Sequence, residues 1–318
     1  MTINRRRFLH ASGATLLAPT LASCGGVQKM PVPGVPVSLF DDETTAEEAT
    51  DGVDLTGRLA VVTGCTTGIG YETMRVLAMR GAFVVGTSRS LERARKACES
   101  VTGLTMPLRL DLGDFDVVAQ CADVIRVLQR PVDMLICNAG YRGGGNERQL
   151  INGIEKHFAI NHLGHFVLVN RLMDRLYVAG QGRIVIVASR TAYTDAPDQG
   201  ILFDDLSMAK SYSDAKAYGH SKLANALLSL QLGQLLRGTR ITSNALHPGV
   251  IKTELDRNLS AISRFAWQAY VKVKGKTIEE GAATTCYVAT SQQLGNVSGR
   301  YFEDCNAVTI EGQWHMQI

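Results

Sequence analysis

From Leu55 onward, short runs rich in β-branched residues alternate with longer stretches of helical patterning. The apolar runs fall at 59–62, 83–87, 105–110, 134–137, 184–188 and 241–245, and the helical stretches lie near 70–80, 91–101, 117–129, 154–176 and 215–236. A parallel sheet with helices on both faces requires this alternation, so the pattern predicts the α/β class and a single doubly wound, Rossmann-type sheet. No internal repeat and no second domain boundary follows Asp54.

The first 54 residues break this rhythm. Arg5, Arg6 and Arg7 precede a modestly apolar stretch, Phe8 to Ala22, that is too short and interrupted to span a bilayer permanently. Paired arginines followed by Phe8 and Leu9 have the form of a twin-arginine export signal, and Leu21-Ala22-Ser23-Cys24 has the form of a lipobox cut before an acylated cysteine. Residues 1–24 are therefore expected to direct export, leaving the mature protein membrane-anchored by lipid on Cys24. The alternative is a basic leader on a cytoplasmic protein. Between 25 and 54, Pro31, Pro33 and Pro36 give way to Asp41, Asp42, Glu43, Glu47 and Glu48, a composition that buries little. This segment is expected to be a flexible tether, with a short capping helix as the alternative, and residues 55–318 are expected to form the folded domain.

Composition narrows the picture further. With 45% hydrophobic and 20% charged residues among 318, the chain holds material for a large core. A formal charge of +3, part of it in the N-terminal arginines, gives no sign of a nucleic-acid surface. None of the seven cysteines forms a C-x-x-C pair; Cys137 lies in a predicted strand and Cys98 and Cys121 in separate predicted helices, so free thiols are expected.

The first predicted strand runs through Thr63-Gly64-Cys65-Thr66-Thr67-Gly68-Ile69-Gly70 into a helix. Glycines there allow a tight turn and a close approach to a pyrophosphate, whose charge the helix N-terminus stabilises, so the loop points to dinucleotide binding. After the second strand, the place of an acid that would bind ribose hydroxyls is taken by Ser88, followed by Arg89. An acid repels a 2′-phosphate and an arginine pairs with it, which favours NADP(H) over NAD(H). The alternative is a solvated arginine at a strand end.

Tyr218 and Lys222 stand four apart at the start of a predicted helix, hence on one face. A cation about 4 Å from a phenol contributes roughly 4 kcal/mol at an effective dielectric of 20, enough to bring tyrosine into acid–base range. His162 and His165 have helical spacing, but no third ligand is apparent and no metal is expected.

Taken in order, Thr63-Gly64…Gly68-x-Gly70, Asn138-Ala139-Gly140, Asn161, Ser189 and Tyr218-x-x-x-Lys222 resemble the short-chain dehydrogenase/reductase family over residues 55 to the C-terminus. The resemblance implies a nicotinamide-dependent oxidoreductase acting on a carbonyl or alcohol. It implies that Tyr218 exchanges the substrate oxygen's proton, Ser189 hydrogen-bonds the same oxygen, Lys222 tunes the tyrosine and binds the nicotinamide ribose, and Asn161 positions a water leading to the lysine. Gly64, Thr66, Gly68, Ile69 and Gly70 would cradle the pyrophosphate, Asp111 would contact the adenine, and Asn138, Ala139 and Gly140 would shape the wall beside the adenine ribose. Pro248, Gly249, Val250 and Thr253 would line the nicotinamide.

Within the family, Phe203-Asp204-Asp205-Leu206, the stretch from Tyr218 to Asn225, and Ser298-Gly299-Arg300-Tyr301-Phe302 look most similar to the retinol-dehydrogenase and protochlorophyllide-reductase branch, implying a small lipophilic substrate. Phe265, Trp267 and Tyr270 fall where the family keeps its substrate lid. A homo-oligomer through the helices around Asn161 and Tyr218 is a further implication. A competing reading is a cofactor-occupied binding or sensor lipoprotein without turnover.

Overall fold

Leu59, Val61, Val85, Leu135, Ile184 and Ile186 turn to one face of a central sheet, and Ala60, Val62, Val84, Ile136, Val185 and Val187 to the other. Strands buried on both faces in this way read as continuous apolar runs. The strands are β1 (Gln28–Pro31), β2 (Leu59–Thr63), β3 (Phe83–Ser88), β4 (Leu104–Arg109), β5 (Met134–Cys137), β8 (Gly182–Val187), β9 (Ile241–His247), β10 (Tyr301–Glu303) and β11 (Asn306–Glu311), with a small hairpin of β6 (Leu150–Ile151) and β7 (Ile154–Glu155) apart from them. The computed structural model describes residues 28–143, 147–251 and 275–311.

The sheet order is β4-β3-β2-β5-β8-β9-β10, all parallel, extended by antiparallel β11 and β1. Strand order reverses between β2 and β5, which opens a crevice at their carboxyl ends. Helices α1 (Gly68–Met79), α2 (Leu91–Glu99) and α7 (Ile278–Thr290) cover the Val62 face. Helices α3 (Phe115–Val127), α4 (Gly164–Tyr177) and α6 (Asp214–Leu235) cover the Val61 face, and the one-turn α5 (Thr191–Thr194) packs on α6. Side chains start these helices where the sequence supplies them: Asp114 accepts from Asp116 and Val117 N–H, Ser213 from Lys216 N–H, and Thr277 with Glu280 forms a reciprocal capping box.

The structure departs from the sequence expectation in three places. The stretch expected as one helix over 154–176 is a strand end, a π-helical turn at Phe158–Leu163 and then α4. Glu155 N–H bonds to the Leu206 carbonyl, and Gly164 sits so close to Leu112 that a Cβ would collide with that backbone. The elements α7, β10, β11 and β1 carry no legible pattern of their own. From Gly281 to Ala289 every residue of α7 is buried, so that stretch shows no polar stripe, and β10 is three residues long.

The tether expected over 25–54 does not hold for the described part of that segment. β1 pairs with β11, and Ala46 and Thr50 are completely buried against the domain. Arg80 donates to the Glu47 carbonyl and to Thr50 Oγ1, and the Phe40 ring meets Tyr287 edge-on. The acidic residues that suggested solvation are indeed exposed, but Glu47 pairs with Arg75, and small neighbours pack beneath them. A one-turn 3-10 helix at Glu48–Thr50 is the capping element weighed as the alternative. Cys65, Cys98, Cys121, Cys137, Cys286 and Cys305 are free and buried; Cys24 lies outside the described residues.

Candidate active site

The β2–α1 loop opens the crevice. Gly64 and Gly68 take φ of +73° and +61°, conformations costly for any residue with a side chain. A Cβ on Gly70 would run into the Gly64 carbonyl and the Asn138 amide. Asn138 holds the loop from across the sheet, donating from Nδ2 to the Thr63 carbonyl at 2.9 Å, while Thr63 Oγ1 accepts from the N–H groups of Asn138 and Ala139, each at 2.9 Å. The result is a bare backbone concavity at the N-terminus of α1, suited to a pyrophosphate.

From this loop a cleft of about 1170 Å³ runs along the carboxyl ends of the strands. Gly64, Thr66, Gly68, Ile69, Gly70, Arg89, Asp111, Asn138, Ala139, Gly140, Ser189, Tyr218, Lys222, Pro248, Gly249 and Val250 all line it. Thr253, Phe265, Trp267 and Tyr270 lie outside the described residues. Its volume and its glycine-lined start fit a dinucleotide.

At the far end, α6 presents Tyr218 and Lys222 together. Lys222 is 3% exposed, donates from Nζ to the Val187 carbonyl at 2.9 Å, and stands 5.6 Å from the Tyr218 ring centroid. Burial pulls its ammonium down to about 8. Ser189 follows β8, and its Oγ accepts from Thr191 N–H at the start of α5. Asn161, fully buried in the π-helical turn, lies outside the lining: its Oδ1 accepts from Tyr141 N–H and its Nδ2 donates to the Tyr141 carbonyl and to Ser221 Oγ.

His165 ties this turn to the loop. Its Nδ1 donates to the Asn161 carbonyl at 2.9 Å, so Nε2 accepts from Thr63 Oγ1 at 2.9 Å. Both nitrogens are thereby engaged, and His162 Nδ1 faces Asn225 Oδ1. Among the described residues no cluster of three histidines, cysteines or carboxylates could hold a metal.

Several lining residues were not anticipated from sequence. Arg93 joins Arg89 at the cleft rim, and the spacing of four across the start of α2 was a usable signal. Arg142, Arg190, Thr191, Thr194 and Asp195 form a polar wall near Tyr218, and nothing local in the sequence marks them.

A glycine loop at the sheet's switch point, with a buried lysine and a tyrosine at the other end of the same cleft, defines a dinucleotide-dependent oxidoreductase. Comparison with known proteins narrows the class. Residues 58–201 match the short chain dehydrogenase family model. The chain is 39% identical over 289 residues to the chloroplastic short-chain dehydrogenase TIC 32 A of Brassica napus, covering 85% of this chain and 87% of that one. It is 36% identical over 274 residues to retinol dehydrogenase 11 of Mus musculus, covering 85% and 84%. A crystal structure of a Mycobacterium paratuberculosis protein superposes with a TM-score of 0.65 at 29% identity, covering 83% of this chain and 88% of that one. A Burkholderia cenocepacia gluconate 5-dehydrogenase in complex with NADP and tartrate shares the fold, with a TM-score of 0.61 at 22% identity over 80% and 96% of the two chains. The chain belongs to the NAD(P)-dependent short-chain dehydrogenase/reductase family.

Proposed function

We propose that the protein moves a hydride between NADP(H) and the carbonyl or alcohol carbon of a small lipophilic substrate, with Tyr218 as the acid and base. The observation that carries this reading is the convergence of Tyr218, Lys222 and Ser189 on one end of the glycine-loop cleft.

NADP(H), when bound, supplies or takes the hydride. In reduction Tyr218 hands its phenolic proton to the substrate oxygen, and in oxidation it takes that proton back. Ser189 Oγ accepts from Thr191 N–H, which leaves its own hydrogen to donate to the substrate oxygen as charge develops there. Lys222 spends one donor on Val187; its remaining donors serve the cofactor ribose and its charge favours the phenolate. Asn161 acts through protein partners in this reading, holding the Tyr141 segment to the π-helical turn and to α6.

Preference for NADP(H) is supported by Ser88 in place of an acid and by two exposed arginines, Arg89 and Arg93, beside it. A lipophilic substrate is supported by the similarity to retinol dehydrogenases. Export and acylation at Cys24 rest on the leader's sequence signals alone, and Cys24→Ser should abolish incorporation of labelled palmitate if they operate.

The deciding test is Tyr218→Phe, assayed with NADPH and a carbonyl panel that includes retinal. Turnover is expected to fall at least about 100-fold, with NADPH affinity changed by less than about threefold. Undiminished turnover would remove Tyr218 from the chemistry.

A further inference from the structure

Tyr218 has two cations near its ring. The Arg142 guanidinium lies 5.1 Å from the ring centroid, slightly nearer than Lys222 Nζ at 5.6 Å. The two are not equivalent. Burial pulls the lysine down to about 8, so its charge fades across the alkaline range in which a phenol ionises. A guanidinium keeps its charge at every accessible pH.

Arg142 belongs to a short segment after β5 that is neither helix nor strand, and side chains hold it from both ends. On one side, Asn161 Oδ1 accepts Tyr141 N–H at 2.6 Å and Asn161 Nδ2 donates to the Tyr141 carbonyl at 3.0 Å. On the other, Gly143 N–H donates to His157 Nε2 at 2.9 Å. His157 is 1% exposed, and its Nδ1 donates to Glu155 Oε1 at 2.8 Å, which fixes the tautomer that leaves Nε2 to accept. Burial pushes the Glu155 carboxyl up, but hydrogen bonds from His157 and Phe158 bring it below its ordinary value, so it stays ionised. A Cβ on Gly143 would lie 2.5 Å from Asp214 Oδ1 and 3.2 Å from the His157 ring, so a larger residue there would have to displace these side chains.

We propose that Arg142, pinned by Asn161 on one side and by the Glu155–His157 pair on the other, is a second cation that stabilises the ionised form of Tyr218. Arg142, His157 and Glu155 are then positioning residues, and the inference rests on Tyr218 being the acid and base. Neighbouring carboxyl groups act against that ionisation, and Arg142 offsets them. Asp214 at the start of α6 and Asp195 after α5 lie within electrostatic reach of Arg142, which opposes the upward push of burial on both carboxyls. Arg190 adds to this at Asp195, and the Tyr301 phenol from β10 is a further neighbour of Tyr218. The His157 ring stands edge-on to Tyr218 at 6.0 Å. Removing Arg142 would leave two carboxyl groups less compensated beside the phenol, which again disfavours its ionisation.

The test uses the full chain saturated with NADP⁺, carrying tyrosine isotopically labelled at Cζ, and follows each phenol by NMR across pH. The Tyr218 signal is the one lost in Tyr218→Phe. Arg142→Met is expected to raise its titration midpoint by about one pH unit, the scale of one partly solvated cation at this distance. Arg142→Lys should restore most of the shift. His157→Leu should reproduce it and add little in the double variant, whereas His157→Gln, which retains an acceptor for Gly143 N–H, should leave the midpoint near that of the parent. An unchanged midpoint in Arg142→Met overturns the proposal outright. A shift in Arg142→Met that neither His157 variant touches overturns the pinning, and should His157→Leu not fold, Glu155→Gln takes its place. Turnover surviving in Tyr218→Phe would instead count against the assignment of Tyr218, whatever the titration shows.

Discussion

Arg89 and Arg93 stand four residues apart at the open rim of the cleft, both exposed, beside a serine where an acid would select the unphosphorylated cofactor. Charge-assisted hydrogen bonds to a phosphate contribute roughly 1.5–3 kcal/mol each. Replacing either one by alanine should therefore weaken NADPH binding by about 10- to 100-fold while leaving NADH within about threefold. Fluorescence titration with the two cofactors checks this, and equal weakening of both would move the arginines away from the 2′-phosphate. Residues whose type alone restricts their use were readable in the chain: Gly64 and Gly68 by their backbone freedom, Gly70 by its lack of a side chain, Tyr218 and Lys222 by their spacing. Arg142 was not, because its place depends on the bond from its neighbour Gly143 to His157, fourteen residues beyond that glycine, which no local pattern announces.

At the scale of elements, the π-helical turn at Phe158–Leu163 is held by imidazoles that must stay neutral. His165 is fully buried between Thr63 and the Asn161 carbonyl, and His220 is stacked on Phe158 at 4.8 Å with Nε2 accepting from Leu202 N–H. Burial pulls both from 6.5 down to about 4. Because the folded values lie below the unfolded ones, the unfolded chain binds more protons in between. The stability these groups protect is complete above about pH 6.5 and is lost as pH falls from there toward 4. Denaturant unfolding at pH 7 and pH 5 should differ by on the order of 2 kcal/mol or more, and His165→Gln should flatten the slope even as it lowers the starting stability. An unaltered slope in that variant would mean that other groups carry the acid sensitivity. The parallel strands and the helices between them followed from apolar periodicity, whereas the break in the expected 154–176 helix did not. A π turn leaves composition unchanged and alters only which carbonyls are paired.

For the molecule as a whole, residues 28–54 belong to the domain. Ala46 is buried with Val76, Ala282 and Cys286, so removing the segment uncovers apolar surface on α1 and α7 and strips β1 from the sheet. A chain beginning after residue 54 should melt at least about 5 °C below one beginning at residue 25, while removal of residues 1–24 alone should shift melting by less than about 2 °C. Thermal unfolding of the three forms decides this, and equal melting of all three would restore the picture of an independent tether.

The sheet's outermost strand starts at Gln28, four positions after Cys24. Four extended residues reach at most roughly 14 Å. An acyl chain carried on Cys24 would consequently moor the enzyme by its β1 flank on a very short leash. It would keep that rim of the protein close to the lipid headgroups and leave the body little freedom to tumble, so a greasy substrate could pass from bilayer to enzyme without crossing much water.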